Sequence, residues 1–298
     1  MNFKVELLNT SELNDFPSGS SINFHNGQLF LVGDDSQHLL ILDRQYKKID
    51  SLRLFSHSGK RIPKKEKADL EASTFLNIDG TNHLLLMGSG SKPLRKTVHL
   101  IPFQNERPDV TRSRVINTSA FVDRAASSGI DEINFEGVAN TGVGLVICNR
   151  GNRNKVNNHL VITEPYFWKD QHTVKLHAIS LRTLIEDGKM PGVSEVYYEK
   201  SLDLLLVALT NEETTNAIDD GAIGNSYISW ISDFSKKVNE GDLTTDGSVC
   251  LPDVSTEFEG EKIEGFCVEY IADKTMLLHM ISDNDNGESK LFKIKMEF

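Results

Sequence analysis

Four glutamates recur at similar intervals along the chain: Glu71 in ADLEAST, Glu136 in INFEGVA, Glu195 in VSEVYY and Glu264 in KIEGFCV. The intervals are 65, 59 and 69 residues. Each Glu opens a run that is otherwise apolar, and three are followed by a small residue, Ala72, Gly137 or Gly265. An earlier copy of the pattern, PSGSSINF, offers Ser18 or Ser20 at the matching point. Carboxylates brought within a few ångströms of each other raise one another's pKa or need a cation between them. Carboxylate and hydroxyl oxygens, with no Cys or His in the set, favour Ca²⁺, or Mg²⁺ with its waters, over zinc. Glu71, Glu136, Glu195, Glu264 and Ser18 are therefore the candidate metal ligands. Solvated strand ends, or a local ion pair such as Glu264 with Lys262, are the competing explanation. Glu195 is the member whose place a neighbour, Ser194, could take.

A second group of polar residues follows the next apolar run of each unit. It comprises Asp34 and Asp35 in LVGDDSQ, Lys92 and Arg95 in GSGSKPLR, and Asn149, Arg150 and Arg153 in VICNRGNR. Glu212 in LTNEE and Asp283 in ISDNDNG complete it. These nine are the candidate ligand contacts. The basic members lie in two adjacent units and the acidic ones in the others, so guanidinium and ammonium groups beside a cation would suit a phosphate or carboxylate ligand. A metal beneath such a mouth would permit hydrolysis of a phosphate ester by an activated water. Loops that are polar only because they are wet would look the same.

The elements that must position these residues are strands. SINFHNGQLFLVGDDSQHLLILD contains apolar runs joined by Asn26-Gly27, and Asp79-Gly80 joins the next pair, both signals for a tight type I′ hairpin. The same grammar of strand, tight turn, very apolar strand, polar loop and strand occurs five times, with a period of about 60 residues. Repeated antiparallel units with a middle strand apolar on both faces predict an all-β propeller, whose innermost strands line a central channel. Five blades are favoured over six, because a sixth would have to come from the weakly patterned 104–130 region. The N-terminal FKVELL (3–8) has no nearby partner and is expected to close the ring as an outer strand of the last blade. Short helices are expected at 180–187 and 234–239, and 216–230 reads as a lid-like insertion over the mouth. With no linker composition anywhere, residues 1–298 read as a single domain.

Composition limits the partners. The chain has 298 residues, 39% apolar, with 32 basic against 43 acidic side chains and a net charge of −11. Nucleic acid and anionic membranes are poor partners for that charge. The three cysteines lack CxxC spacing and read as buried free thiols, and no signal-peptide core or membrane-length apolar run is present, so a cytoplasmic location is expected. P-loop, GxSxG and HExxH patterns are absent, and the acidic stretch at 282–289 lacks the closing Glu of an EF-hand loop.

The recurrent glutamates, two of them in Glu-Gly pairs, and the polar turns LVGDDSQ, LMGSGSK, VICNRGNR and LTNEE resemble those of calcium-dependent propellers. The families are the apyrase-type nucleotidases, the gluconolactonase type, and the phytase-like or esterase-like propellers. The resemblance implies an axial Ca²⁺ and a loop face that binds, and in an enzyme hydrolyses, a small anionic phosphate ester or lactone. The alternative is a non-catalytic scaffold that binds a protein or small ligand and uses its metal only structurally. The insertions at 104–130 and 211–229, and Ser instead of an acid in the first unit, depart from those families.

Overall fold

The structure, a computed structural model, describes residues 2–141, 144–152, 154, 157–185, 191–212, 222–284 and 288–298. Its strands form five sheets, each a blade with successive strands running outward from the axis. Blade 1 comprises Gly19–His25, Gln28–Gly33, His38–Asp43 and Lys48–Arg53, and blade 2 comprises Leu70–Ile78, Thr81–Gly88, Thr97–Gln104 and Arg114–Asn117. Blade 3 comprises Phe135–Thr141, Gly144–Asn149, Asn158–Thr163 and Leu176–Arg182, with Leu243–Thr244 added in parallel at its outer edge. Blade 4 comprises Gly192–Glu199, Leu204–Glu212, Ile223–Ser232 and Gly247–Cys250. Blade 5 comprises Ile263–Ala272, Thr275–Asp283 and Ser289–Glu297, and its outer strand is the N-terminal Lys4–Leu13. Innermost strands of adjacent blades touch all the way round, including blade 5 with blade 1. The five-bladed ring and its closure by the first strand are as the sequence predicts.

The double-sided apolar strands are explained by the cores between blades. In blade 4, Leu204, Leu206 and Ala208 pack toward blade 5, while Leu205, Val207 and Leu209 pack toward blade 3. A strand's period of two thus serves two cores at once, and all six side chains are fully buried. The predicted tight turns are present: Asn26 and Gly27 have φ of 47° and 78°, Asp79 and Gly80 of 50° and 81°. Asp273 and Lys274 adopt the same left-handed pair without a glycine, a turn the sequence hides.

Two expectations need correction. The stretch 180–187 does not open as a helix, because Ser180–Arg182 end the outer strand of blade 3 and its alternating burial has the strand period; residues 186–187 lie outside the described residues. Much of 216–230 is no lid either. Ile223–Ser232 is a blade strand, with Ile228 and Trp230 packed toward blade 5 and Tyr227 and Ile231 toward blade 3; residues 216–221 lie outside the described residues. The 104–130 region builds the outer strand of blade 2 and a helix, Ser119–Ala126, whose Phe121, Val122 and Ala125 fill the wedge between blades 2 and 3. The helix expected near 234–239 is observed as Phe234–Lys237. Cys148 and Cys267 are buried free thiols and Cys250 is a half-buried one. Among the described residues, no helix is long and apolar enough to cross a membrane.

Candidate functional site

Every innermost strand carries a bulge at its second or third residue. Strand pairing skips from Gly19 to Ser21, Leu70 to Ala72, Phe135 to Gly137, Val193 to Glu195 and Ile263 to Gly265. The residues left unpaired are Ser20, Glu71, Glu136, Ser194 and Glu264. A bulge re-aims a side chain that the ladder would otherwise dictate. Here it defines five equivalent positions at one end of the channel. Glu71, Glu136 and Glu264 occupy three of them, as the sequence intervals suggest. The serine blades work differently: Ser20 Oγ donates to the Leu70 carbonyl at 2.5 Å and Ser194 Oγ to the Ile263 carbonyl at 2.6 Å, each tying its bulge to the next blade. Ser18 is not the equivalent residue, and its hydroxyl accepts from Arg61 Nη2 at 2.8 Å.

Glu195 stands one residue further along its strand, where the other blades have Ser21, Ala72, Gly137 and Gly265. The register separates it from the other three acids. Its carboxylate crosses the face of Gly137, where a Cβ would lie 2.3 Å from Glu195 Oε1 and 2.8 Å from the Glu195 Cα. Gly137→Ala is accordingly expected to destabilise the fold by about 1–3 kcal/mol through overpacking. Urea unfolding measures this, and an unchanged midpoint would contradict the close approach.

The ends of the second strands and the segments leading into the blades bring further charge to the same mouth. Lys67 Nζ lies against Asp34 and is 2.8 Å from Asp69 Oδ1, while Arg95 Nη1 donates to Asp69 Oδ2 at 2.7 Å. Oxygens of Asp34, Asp69 and Glu71 all lie within 4.8 Å of one another, with Asp69 buried and the other two partly open. On the blade 3–5 side, Arg150 Nη2 donates to Glu212 Oε2 at 2.8 Å, and its Nη1 is 3.7 Å from Glu264 Oε2. Lys262 Nζ reaches Glu264 Oε1 at 2.7 Å and Glu212 Oε2 at 3.2 Å. Asn134 donates to Glu136. Among the described residues, six carboxylates (Asp34, Asp69, Glu71, Glu136, Glu212 and Glu264) therefore face four cations (Lys67, Arg95, Arg150 and Lys262), a formal excess of two negative charges.

The excess shows in the acid strengths. Burial pushes Glu136 up to about 8, although Arg150 opposes it. Burial likewise raises Asp34 to about 6 against the pull of Lys67. Glu71 is held well above the carboxylate range by burial, then by Asp69 and Asp34, and Glu264 is raised by burial in spite of Lys262 and Arg150. Burial disfavours the charge on Lys67, but Asp34 and Asp69 outweigh it and keep the ammonium protonated. For Glu195, burial is again the main cause of a strong upward shift.

The other predicted contacts are also placed. Asp35 receives Arg61 Nε at 2.5 Å. Asn149 is a buried clamp, accepting from the Asn134 amide at 2.8 Å and donating to the Glu132 carbonyl at 3.0 Å. Lys92 is half-buried beside the short turn Pro93–Arg95, and Asp283 is buried at the end of its strand. Arg153 lies outside the described residues. The sequence reading missed Lys67, Asp69 and Arg61. The signal was the charged run KRIPKKEKADLE leading into blade 2, which sits beside the axis and not in a distant loop.

Residues 15–296 match the profile of a family of unknown function (DUF6929). No match to a curated protein was found. Among solved structures, Myxococcus xanthus glutaminyl cyclase is similar, with TM-score 0.53 and 12% identity over 98% of this chain and 96% of the other. The tail fiber of Staphylococcus aureus phage P68 gives TM-score 0.53 and 11% identity over 99% of this chain, which spans 53% of that one. At such identities the likeness is one of fold.

Proposed function

The chain belongs to the family of unknown function DUF6929, and from the charge at its ring axis we propose that it binds a divalent cation, Ca²⁺ above all, and through it a small anionic molecule. The observation that carries the proposal is the meeting of Asp34, Asp69 and Glu71 within 4.8 Å. Hard oxygen donors of this kind suit Ca²⁺ or Mg²⁺. Two details support the fit. Asp34 Oδ1 is buried without a hydrogen-bond partner, and Glu71 has no hydrogen bond to protein among the described residues.

Arg95 and Arg150 are spent on internal acids, so an anion would reach this mouth through a cation and not through free guanidinium groups. Asp34, Asp69 and Glu71 would hold the ion, Lys67 would fix the geometry of two of them, and Glu136 would keep a proton at neutral pH. A bound ion would supply Lewis acidity and a more acidic water, which makes hydrolysis of a phosphate ester or lactone the implied chemistry. The second reading is a non-catalytic scaffold for a protein or small ligand. It is favoured by the same internal pairing, which commits Arg95 to Asp69 and Arg150 to Glu212.

Calcium titration calorimetry tests the ion. Glu71→Gln is expected to weaken Ca²⁺ at least tenfold while stabilising the ion-free protein, since it removes a carboxyl whose ionised form is disfavoured by burial and by Asp69 and Asp34. Failure of both Ca²⁺ and Mg²⁺ to bind at millimolar concentration would overturn the reading. A panel of nucleotides, phosphate monoesters and lactones, assayed with and without chelator, separates enzyme from scaffold.

A further inference from the structure

The opposite end of the channel holds a separate cavity. Its volume is about 260 Å³, some nine times the ~30 Å³ share of a liquid water. Phe75 of blade 2, Tyr197 of blade 4 and Phe266 of blade 5 are among its aromatic walls, while Asn23, His25, Ser73 and Glu195 are among its polar lining. This cavity shares no residue with the acidic cluster at Asp34, Asp69 and Glu71.

The hydrogen bonds around Glu195 run in one direction. Asn23 Nδ2 can only donate, and it donates to Ser73 Oγ at 2.6 Å. The Ser73 hydroxyl is then free to donate to Ser21 Oγ, 2.6 Å away, and Ser21 Oγ donates to Glu195 Oε2 at 3.3 Å. The Val196 amide donates to Oε1 at 2.9 Å. With the hydroxyls in this orientation the partners on the protein side are all donors, an arrangement that suits a carboxylate. Yet Glu195 is 2% exposed, and among the described residues no Lys, Arg or His pairs with it. Burial without a counter-ion makes the carboxylate costly and favours its protonated form; a cation seated in the cavity would restore the charge, and aromatic faces add attraction for that cation.

We propose that this cavity binds a small organic ammonium compound, its charged nitrogen on Glu195 and its apolar part against Phe75, Tyr197 and Phe266. The missing counter-ion is the reason for a cation, and the walls are the reason for an organic one. Neutral alcohols of the same shape would leave the carboxylate unpaired. Discrimination of a hydrogen-bonded isostere by such a site is commonly large.

Calorimetry with 2-phenylethylamine, n-butylamine and choline, each against its neutral isostere (2-phenylethanol, n-butanol, 3,3-dimethylbutanol), tests this. At least one amine is expected to bind, tenfold or more tighter than its alcohol. Glu195→Gln is expected to abolish that preference. Tyr197→Leu should weaken the amine while keeping its advantage over the alcohol, so the proposal stands or falls even where Glu195→Gln does not fold. Equal binding of amine and alcohol, an amine affinity unchanged in folded Glu195→Gln, or no amine binding at 10 mM overturns it. Chelator and Glu71→Gln are expected to leave amine binding unchanged, so this site and the cation site fail independently.

Discussion

Replacing Arg150 by methionine is expected to lower the unfolding free energy at pH 7.5 by about 3–5 kcal/mol, the usual cost of leaving buried charges uncompensated. The side chain is 7% exposed and serves Glu212 and Glu264 directly, with Glu136 close enough to weaken its acidity as well. Methionine fills most of the volume, so the loss reports charge and not a cavity. Lys262→Met should cost less, because that ammonium is nearer to solvent and shares its acids with Arg150. Denaturant unfolding provides the comparison. At pH 5, where the surrounding carboxyls take up protons, the Arg150→Met deficit should shrink. A loss below about 1 kcal/mol at pH 7.5 would mean that the acids are already neutral without the guanidinium.

Stability is expected to fall as pH rises from 5 to 8 in the absence of divalent cations. Folded Glu136 titrates at about 8 against an ordinary 4.5, and folded Asp34 at about 6 against 3.8. Between those limits the folded protein holds protons that the unfolded chain has released. The stabilisation is therefore complete below the unfolded values and is lost as pH climbs through the folded ones. Each such carboxyl contributes a slope of up to about 1.4 kcal/mol per pH unit. Glu71 and Glu264 are shifted in the same direction and reinforce it. Thermal or denaturant unfolding at several pH values measures the trend. Glu136→Gln should flatten the curve near its upper end, and millimolar Ca²⁺ should restore stability at pH 8 while doing little at pH 5. Stability that rises through this window would contradict the buried, under-neutralised axis.

How far the candidate site could be read from sequence is clearest in the two halves of the acid set. Glu71, Glu136 and Glu264 were legible because each marks the same step of a repeat, and the structure gives all three the same bulge. Glu195 and Ser18 were misplaced by one and two residues. Spacing does not reveal which residue a bulge leaves unpaired, and a one-residue slip on a strand reverses the side-chain direction. Lys67 and Asp69 were invisible for another reason. They come from a connection whose path is decided by packing against blade 1, and only that path sets Lys67 against Asp34.

Local chemistry in the sequence determined the antiparallel hairpins, the left-handed Asn26-Gly27 and Asp79-Gly80 turns, the double-sided apolar strands, and hence five blades closed by the first strand. These follow from φ/ψ preference and a period of two, which act between near neighbours. Tertiary structure alone decided which charges meet. Arg150 and Glu212 come from different blades, 62 residues apart in the chain, and so do Ser21 and Glu195, 174 apart. Ion pairs and hydrogen-bond chains across an axis depend on distances that no local rule encodes.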